Sequence, residues 1–139
     1  MAGMRLVIAA PDAESVALYR SLLASAIRLL PLEIDAHVVT SRAELDNEAH
    51  DADAVLLDWL LAGADTPQYL RALRALNPAL RTIVVMPLAV RQYRTCLWDA
   101  GACVGLPKEH LDQEWLLSML CLMSRAMERE QRARAELVP

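Results

Sequence analysis

The sequence predicts an α/β domain built on a parallel sheet with helices on both faces. Short apolar runs recur at 5–10, 54–58 and 81–87, as expected of strands buried on both sides. Amphipathic stretches separate these runs, and the connections span only a few residues, so right-handed crossovers would lay helices over each face. The 139 residues suit one domain with a real core.

Each element has its own signal. "RLVIAA", residues 5–10, is the first expected strand. Residues 13–29 follow as a helix behind an Asp12 cap, with Val16, Tyr19, Leu22, Leu23, Ala26 and Leu30 at helical spacing. "LEIDAHVV", residues 32–39, alternates like a strand with one wetter face. Ser41-Arg42-Ala43-Glu44 is a capping box, in which the serine can bond the third helical amide while the glutamate reaches back, and it opens a short second helix.

The third strand, "AVLLD" at 54–58, closes an apolar run with the ionisable carboxylate of Asp58. Thr66 and Pro67 supply a cap and a proline at the first helical position, and Tyr69, Leu70, Leu73 and Leu76 form a buried stripe that ends before Asn77-Pro78. "RTIVVMP", 81–87, is the fourth strand, 90–100 the fourth helix with Gly101 as its stop, and "ACVGLP", 102–107, the fifth strand. Asp112 and Glu114 give the last helix, 112–137, an acidic first turn that suits its dipole, and its length would be about 39 Å. Sites in such sheets form past the carboxyl ends of the strands, here Ala10, Pro11 and Asp12, then Asp58, Pro87, Pro107 and Lys108. Asp58 and Lys108 are expected to pair.

Composition removes several function classes. A net charge of −4 leaves no basic footprint for direct nucleic-acid binding. Cys96, Cys103 and Cys121 show no metal-ligand spacing and read as reduced thiols of a cytoplasmic protein. "WLLSMLCLM" is too short to cross a bilayer, and the start of the chain lacks a signal-peptide core, so no membrane role is expected. His37, His50 and His110 are scattered, which argues against a metal site. Trp59, Trp98 and Trp115 read as core or rim residues, with Trp98 the alternative partner anchor, and Met119, Met123 and Met127 read as helix packing. No glycine-rich phosphate loop and no nucleophile elbow occur.

"RLVIAAPDAESVALYRSLL", "VLLDWLLAGADTPQYLRAL" and "GACVGLPKEHL", taken in order across residues 4–124, resemble the receiver domains of two-component response regulators. The resemblance implies a flavodoxin-like, doubly wound sheet of order 2-1-3-4-5 with an extended C-terminal helix. It puts Asp58 at the phosphoacceptor position and Lys108 at the phosphate-contact position, and Gly63 where the family often has a Pro-Gly turn.

Other family positions have changed. Receivers hold Mg²⁺ with two acidic residues after strand one, because phosphoryl transfer relies on charge neutralisation by a hard cation. Ala10 and Pro11 stand there instead, and Asp12 lies one place late. Pro87 replaces the hydroxyl residue after strand four and brings neither a hydroxyl nor an amide hydrogen. Gly105 replaces the switch aromatic three residues before the lysine. The chain thus resembles a degenerate, or pseudo-, receiver with no catalytic residue, metal or cofactor. Asp58 is expected to be partly exposed and kept ionised by Lys108 and solvent, in a pair contributing roughly 0 to 1 kcal/mol. In the alternative, Asp58 is a working phosphoacceptor and Asp12 helps to hold Mg²⁺. A third reading is a flavodoxin-like ligand-binding protein or enzyme, although "APDAES" lacks the Ser, Thr and Gly density of a phosphate cradle.

The expected division is a receiver-like domain over 1–124 and a helical linker over 125–139. Leu116, Met119, Met123, Ala126, Glu130, Ala133 and Leu137 fall at a and d spacing, with Glu130 breaking the seam, and point to a homodimer through the last helix. "SRAMEREQRARAEL" resembles linkers that join receivers to sensor or cyclic-dinucleotide enzyme modules, so the chain is expected to be the N-terminal part of a longer protein. The expected function is non-enzymatic regulation through protein contacts or a fused output domain. By resemblance, the partner surface comprises Tyr93, Leu97, Trp98 and Trp115.

Overall fold

The computed structural model describes residues 3–30, 33–102 and 104–137. Leu32 of the expected second strand and Cys103 of the fifth lie outside these residues, as do the last two of the proposed linker. Five parallel strands form one sheet in the order β2-β1-β3-β4-β5. They are β1 (Gly3–Ala9), β2 (Glu33–Val39), β3 (Ala54–Asp58), β4 (Arg81–Met86) and β5 (Val104–Pro107). The helices are α1 (Ala13–Ile27), α2 (Arg42–Ala49), α3 (Thr66–Leu76), α4 (Arg94–Asp99) and α5 (Gln113–Leu137).

The period of two along each strand sorts the core into two layers. Leu6 and Ile8 face one side with Leu56, Ile83, Val85 and Leu106, where Tyr19 and Leu23 of α1 and Leu116, Leu120 and Met123 of α5 cover them. Val7, Ala9, Val55, Leu57, Val84 and Met86 face the other side, under Leu45 of α2, Leu70 and Leu73 of α3 and Leu97 of α4. All five residues of β3 are buried, so the central strand delivers its terminal carboxylate into the interior.

The local signals explain most helix starts. Asp12 accepts from the Ser15 amide at 2.8 Å, and Ser41 caps α2 by accepting from the Glu44 amide at 3.2 Å. Two expectations need correction. Thr66 is the first residue of α3 rather than its cap, and its hydroxyl donates back to the Gly63 carbonyl at 2.6 Å. The helix expected over 90–100 is shorter: residues 88–93 form a tight 3₁₀ stretch interrupted at Val90, and α4 starts only at Arg94. Pro87 gives that stretch no side-chain cap, so its first amides are served by tighter turns. Gly101, at φ +103°, closes α4 as a residue with a side chain could not do without strain.

Candidate functional site

Asp58 is only 2% exposed, which corrects the expected solvent-facing pair. The cause is α1, which carries the wholly buried Tyr19 over the end of β3. The Tyr19 hydroxyl donates to Asp58 Oδ2, and the Leu60 amide donates to Oδ1 at 2.9 Å. Lys108, just past β5, places Nζ 3.6 Å from Oδ2 and donates to the buried Ser15 hydroxyl at 2.6 Å. Its ammonium also lies 5.5 Å from the centre of the Tyr19 ring. A polar chain therefore runs from Asp12 through Ser15 and Lys108 to Asp58 and Tyr19.

Burial, and then the hydrogen bond to Asp58, push the Tyr19 hydroxyl well above its ordinary pKa, so it stays a protonated donor. Asp12 is shifted the other way, held below 3.8 mainly by the Ser15 amide it accepts. Sequence reasoning placed Tyr19 on an apolar stripe and did not foresee its hydroxyl contact or the role of Ser15. The available signal was their spacing: Ser15 and Tyr19 lie four apart, on one face of the helix that starts beside the end of β1.

The side chains present do not fit a magnesium centre. Ala10 is buried and Pro11 exposed, and neither has a side-chain oxygen. Asp12 Oδ1 is buried without a hydrogen-bond partner, but Oδ2 of the same residue is committed to its cap. Asp58 Oδ2 already faces a hydroxyl and an ammonium. Among the described residues no group of three or more His, Cys, Asp or Glu could hold a metal. A hard dication would have to share this space with the Lys108 charge.

Pro87 and Gly105 also have structural consequences. Pro87 is half-buried after β4, with neither a hydroxyl nor an N–H to offer a phosphoryl oxygen. A Cβ on Gly105 would lie 2.9 Å from Met86 Cε and 3.3 Å from Leu97 Cδ1, so neighbouring side chains already fill the space beside it. Leu97 is completely buried in that contact, which removes it from the expected partner surface. Trp98 is 68% exposed, Tyr93 is partly exposed, and Trp115 is half-buried against the α1–α5 layer. Trp59 is buried, with its ring 5.3 Å from that of Tyr93.

Helix α5 runs unbroken for 25 residues, about 38 Å. Its a and d stripe does not form the expected free seam. Leu116 and Met123 are buried in the domain's own core, and Glu130 pairs with Arg81 at the start of β4. Only the last two seam positions, Ala133 and Leu137, are exposed beyond that tie. Among the described residues no helix is long and apolar enough to cross a membrane.

No family model matches the chain, and no curated protein does. Solved structures match its fold over most of the chain. A CheY-like response regulator receiver domain from Methanospirillum hungatei JF-1 superposes with a TM-score of 0.72 at 18% identity, covering 93% of this chain and 99% of its own. The receiver domain of the Francisella response regulator 1452 gives 0.72 at 16% identity, covering 89% and 98%. The receiver domain of sensor histidine kinase PA1611 from Pseudomonas aeruginosa PAO1, solved with a magnesium ion coordinated in its active site cleft, gives 0.67 at 20% identity, covering 86% and 95%. The chain therefore has the CheY-like receiver fold, with sheet order 2-1-3-4-5.

Proposed function

We propose that this receiver-fold chain is a regulatory module that works without phosphorylation, through protein contacts and its continuous C-terminal helix. One observation carries this reading: both carboxylate oxygens of Asp58 are engaged inside the protein, Oδ2 by the Tyr19 hydroxyl. An acceptor must present a free oxygen in line with the incoming phosphoryl group, and the missing oxygen ligands at Ala10 and Pro11 weigh the same way. The filled space beside Gly105 adds support, since a conformational signal there would need room for a moving side chain. Tyr93, Trp98 and Trp115 are the proposed contact residues.

Residues 125 onward act in this reading as a linker to an output domain, such as a sensor or cyclic-dinucleotide enzyme module, and as the contact of a homodimer. Their charged, exposed character past Glu130 supports a role outside the domain core. The competing reading, an aspartyl-phosphate switch with Mg²⁺, draws on the Asp58–Lys108 spacing and on the unpartnered Asp12 oxygen.

Trp59 adjoins Asp58 and serves as the reporter. Titration with beryllofluoride at millimolar Mg²⁺ is expected to leave its fluorescence unchanged, and a saturable change would favour the phosphoacceptor reading. Sedimentation of the full chain against a version ending at Ser124 is expected to show association only in the former. Two equal monomers would remove the dimer from the proposal.

A further inference from the structure

Trp98, Arg91 and Arg94 border an open groove between α4 and β5 that belongs to the contact surface proposed above. A second exposed surface lies over α3, the middle helix of the layer α2, α3, α4. Its centre is apolar: Ala72, Ala75 and Leu76 line an open groove of about 550 Å³ towards α2, and Leu76 is 43% exposed. On the same helix Arg71 and Arg74 are exposed and make no ion pair among the described residues. Arg74 runs its stem across Gly101, whose lack of a side chain makes room for it. Across the groove the charges are already engaged, because Asp46 accepts from Tyr69 at 2.9 Å, and Arg42 lies 4.4 Å from the centre of the Tyr69 ring and 3.8 Å from Asp65.

Charge is divided along the chain. Residues 66–98 carry five arginines and no carboxylate, the next being Asp99 at the end of α4, whereas residues 33–65 carry nine carboxylates and a single arginine, Arg42. Part of this acidity gathers at the β2 edge of the sheet. Asp35 is the register partner of Arg5, and Arg5 reaches Glu48 at 2.9 Å and Asp51 at 3.9 Å, so Glu33 and Asp35 project on the α2 side beside those two. Among the described residues, Arg5 and His37 are the only basic side chains that pair with these four carboxylates. The edge keeps an excess of negative charge.

We propose that α3 docks the β2–α2 edge of a second copy of this chain, head to tail, with Glu33 and Asp35 meeting Arg71 and Arg74 while the copy covers Leu76. Charge complementarity selects this occupant, since the protein itself carries the acidic surface that matches its basic one. The contact is separate from the α5 pairing proposed above. It joins two different surfaces and leaves one of each free at the ends, so assemblies can grow beyond a dimer.

Analytical ultracentrifugation of the full chain at low ionic strength should show self-association that weakens as salt rises. At high salt this contact is screened, and there the comparison with the chain ending at Ser124 reads α5 pairing alone. The variants R71E/R74E and E33K/D35K separate the two surfaces. A fluorescently labelled R71E/R74E chain should bind E33K/D35K at least tenfold more tightly than it binds unlabelled R71E/R74E, because only the first mixture brings an intact edge to an intact α3. Pairing through α5 is common to both mixtures and cancels. Circular dichroism checks that each variant is folded. Weaker self-association is also expected of E33Q/D35N, which removes two charges without setting new cations beside Arg5 and serves if the reversed edge does not fold. Equal binding in the two mixtures, self-association that neither salt nor E33Q/D35N weakens, or a chain that stays monomeric at low ionic strength would overturn the inference.

Discussion

The buried cluster around Asp58 and the groove beside Trp98 treat their polar side chains in opposite ways. Around Asp58 most groups are answered from within: carboxylate by phenol, amide and ammonium, ammonium by hydroxyl, and helix amide by Asp12. In the groove two guanidiniums and an indole face water without an ion-pair partner among the described residues. A buried cluster satisfied internally fastens a fold and has little left to offer a ligand. An exposed cluster left unsatisfied contributes little to the fold and keeps its capacity for a partner.

Substitutions should separate these roles. The largest effect is expected from Asp58→Ala, which strands the Tyr19 hydroxyl and the Lys108 ammonium and should lower unfolding stability by about 2 to 4 kcal/mol, read as a urea midpoint shift at constant slope. A loss below half a kcal/mol would mean the cluster fastens nothing. Tyr19→Phe keeps the ring and removes one hydrogen bond, with an expected loss of about 1 to 2 kcal/mol. It uncovers Asp58 Oδ2, yet the beryllofluoride titration is expected to stay silent in this variant too, because Ala10 and Pro11 still offer the cation no oxygen.

The same phenol sets an alkaline dependence. Tyr19 and Tyr69 both have folded pKa values raised above the ordinary 10.0, chiefly by burial. The unfolded chain therefore loses these protons first as pH rises. Their contribution is complete below pH 10 and declines above it as ionisation favours the unfolded state, so urea midpoints should fall there, less steeply in Tyr19→Phe. At the weak end of the comparison, Trp98→Ala should change stability by no more than about 0.5 kcal/mol, because the side chain is mostly in water.

Much of this architecture was legible in the residues because buried strands and helix caps have local signatures. The run ending at Asp58, the Asp12 cap and the Ser41 cap took their expected places, whereas the Glu44 carboxylate accepts from the Thr40 and Ser41 hydroxyls instead of closing the box on the Ser41 amide. The helix over 90–100 was overestimated because apolar spacing says nothing about a missing cap. The α5 stripe misled for another reason: a face packed on its own domain and one packed on a partner helix share the same spacing, and only the tertiary position of Arg81 shows which applies. At the site, Asp58 and Lys108 could be paired from their strand-end positions, but the third member could not. Tyr19 is both a large apolar side chain and a donor, and its hydroxyl meets a carboxylate 39 residues away.

The most direct test is intact-protein mass after incubation with acetyl phosphate and Mg²⁺, followed by peptide mapping of β3. Occupation of Asp58 by Tyr19 predicts an unmodified protein, alongside a receiver control that takes up one phosphoryl group. A stable phosphoryl adduct on Asp58, accompanied by a change in the protein's amide spectrum, would contradict it.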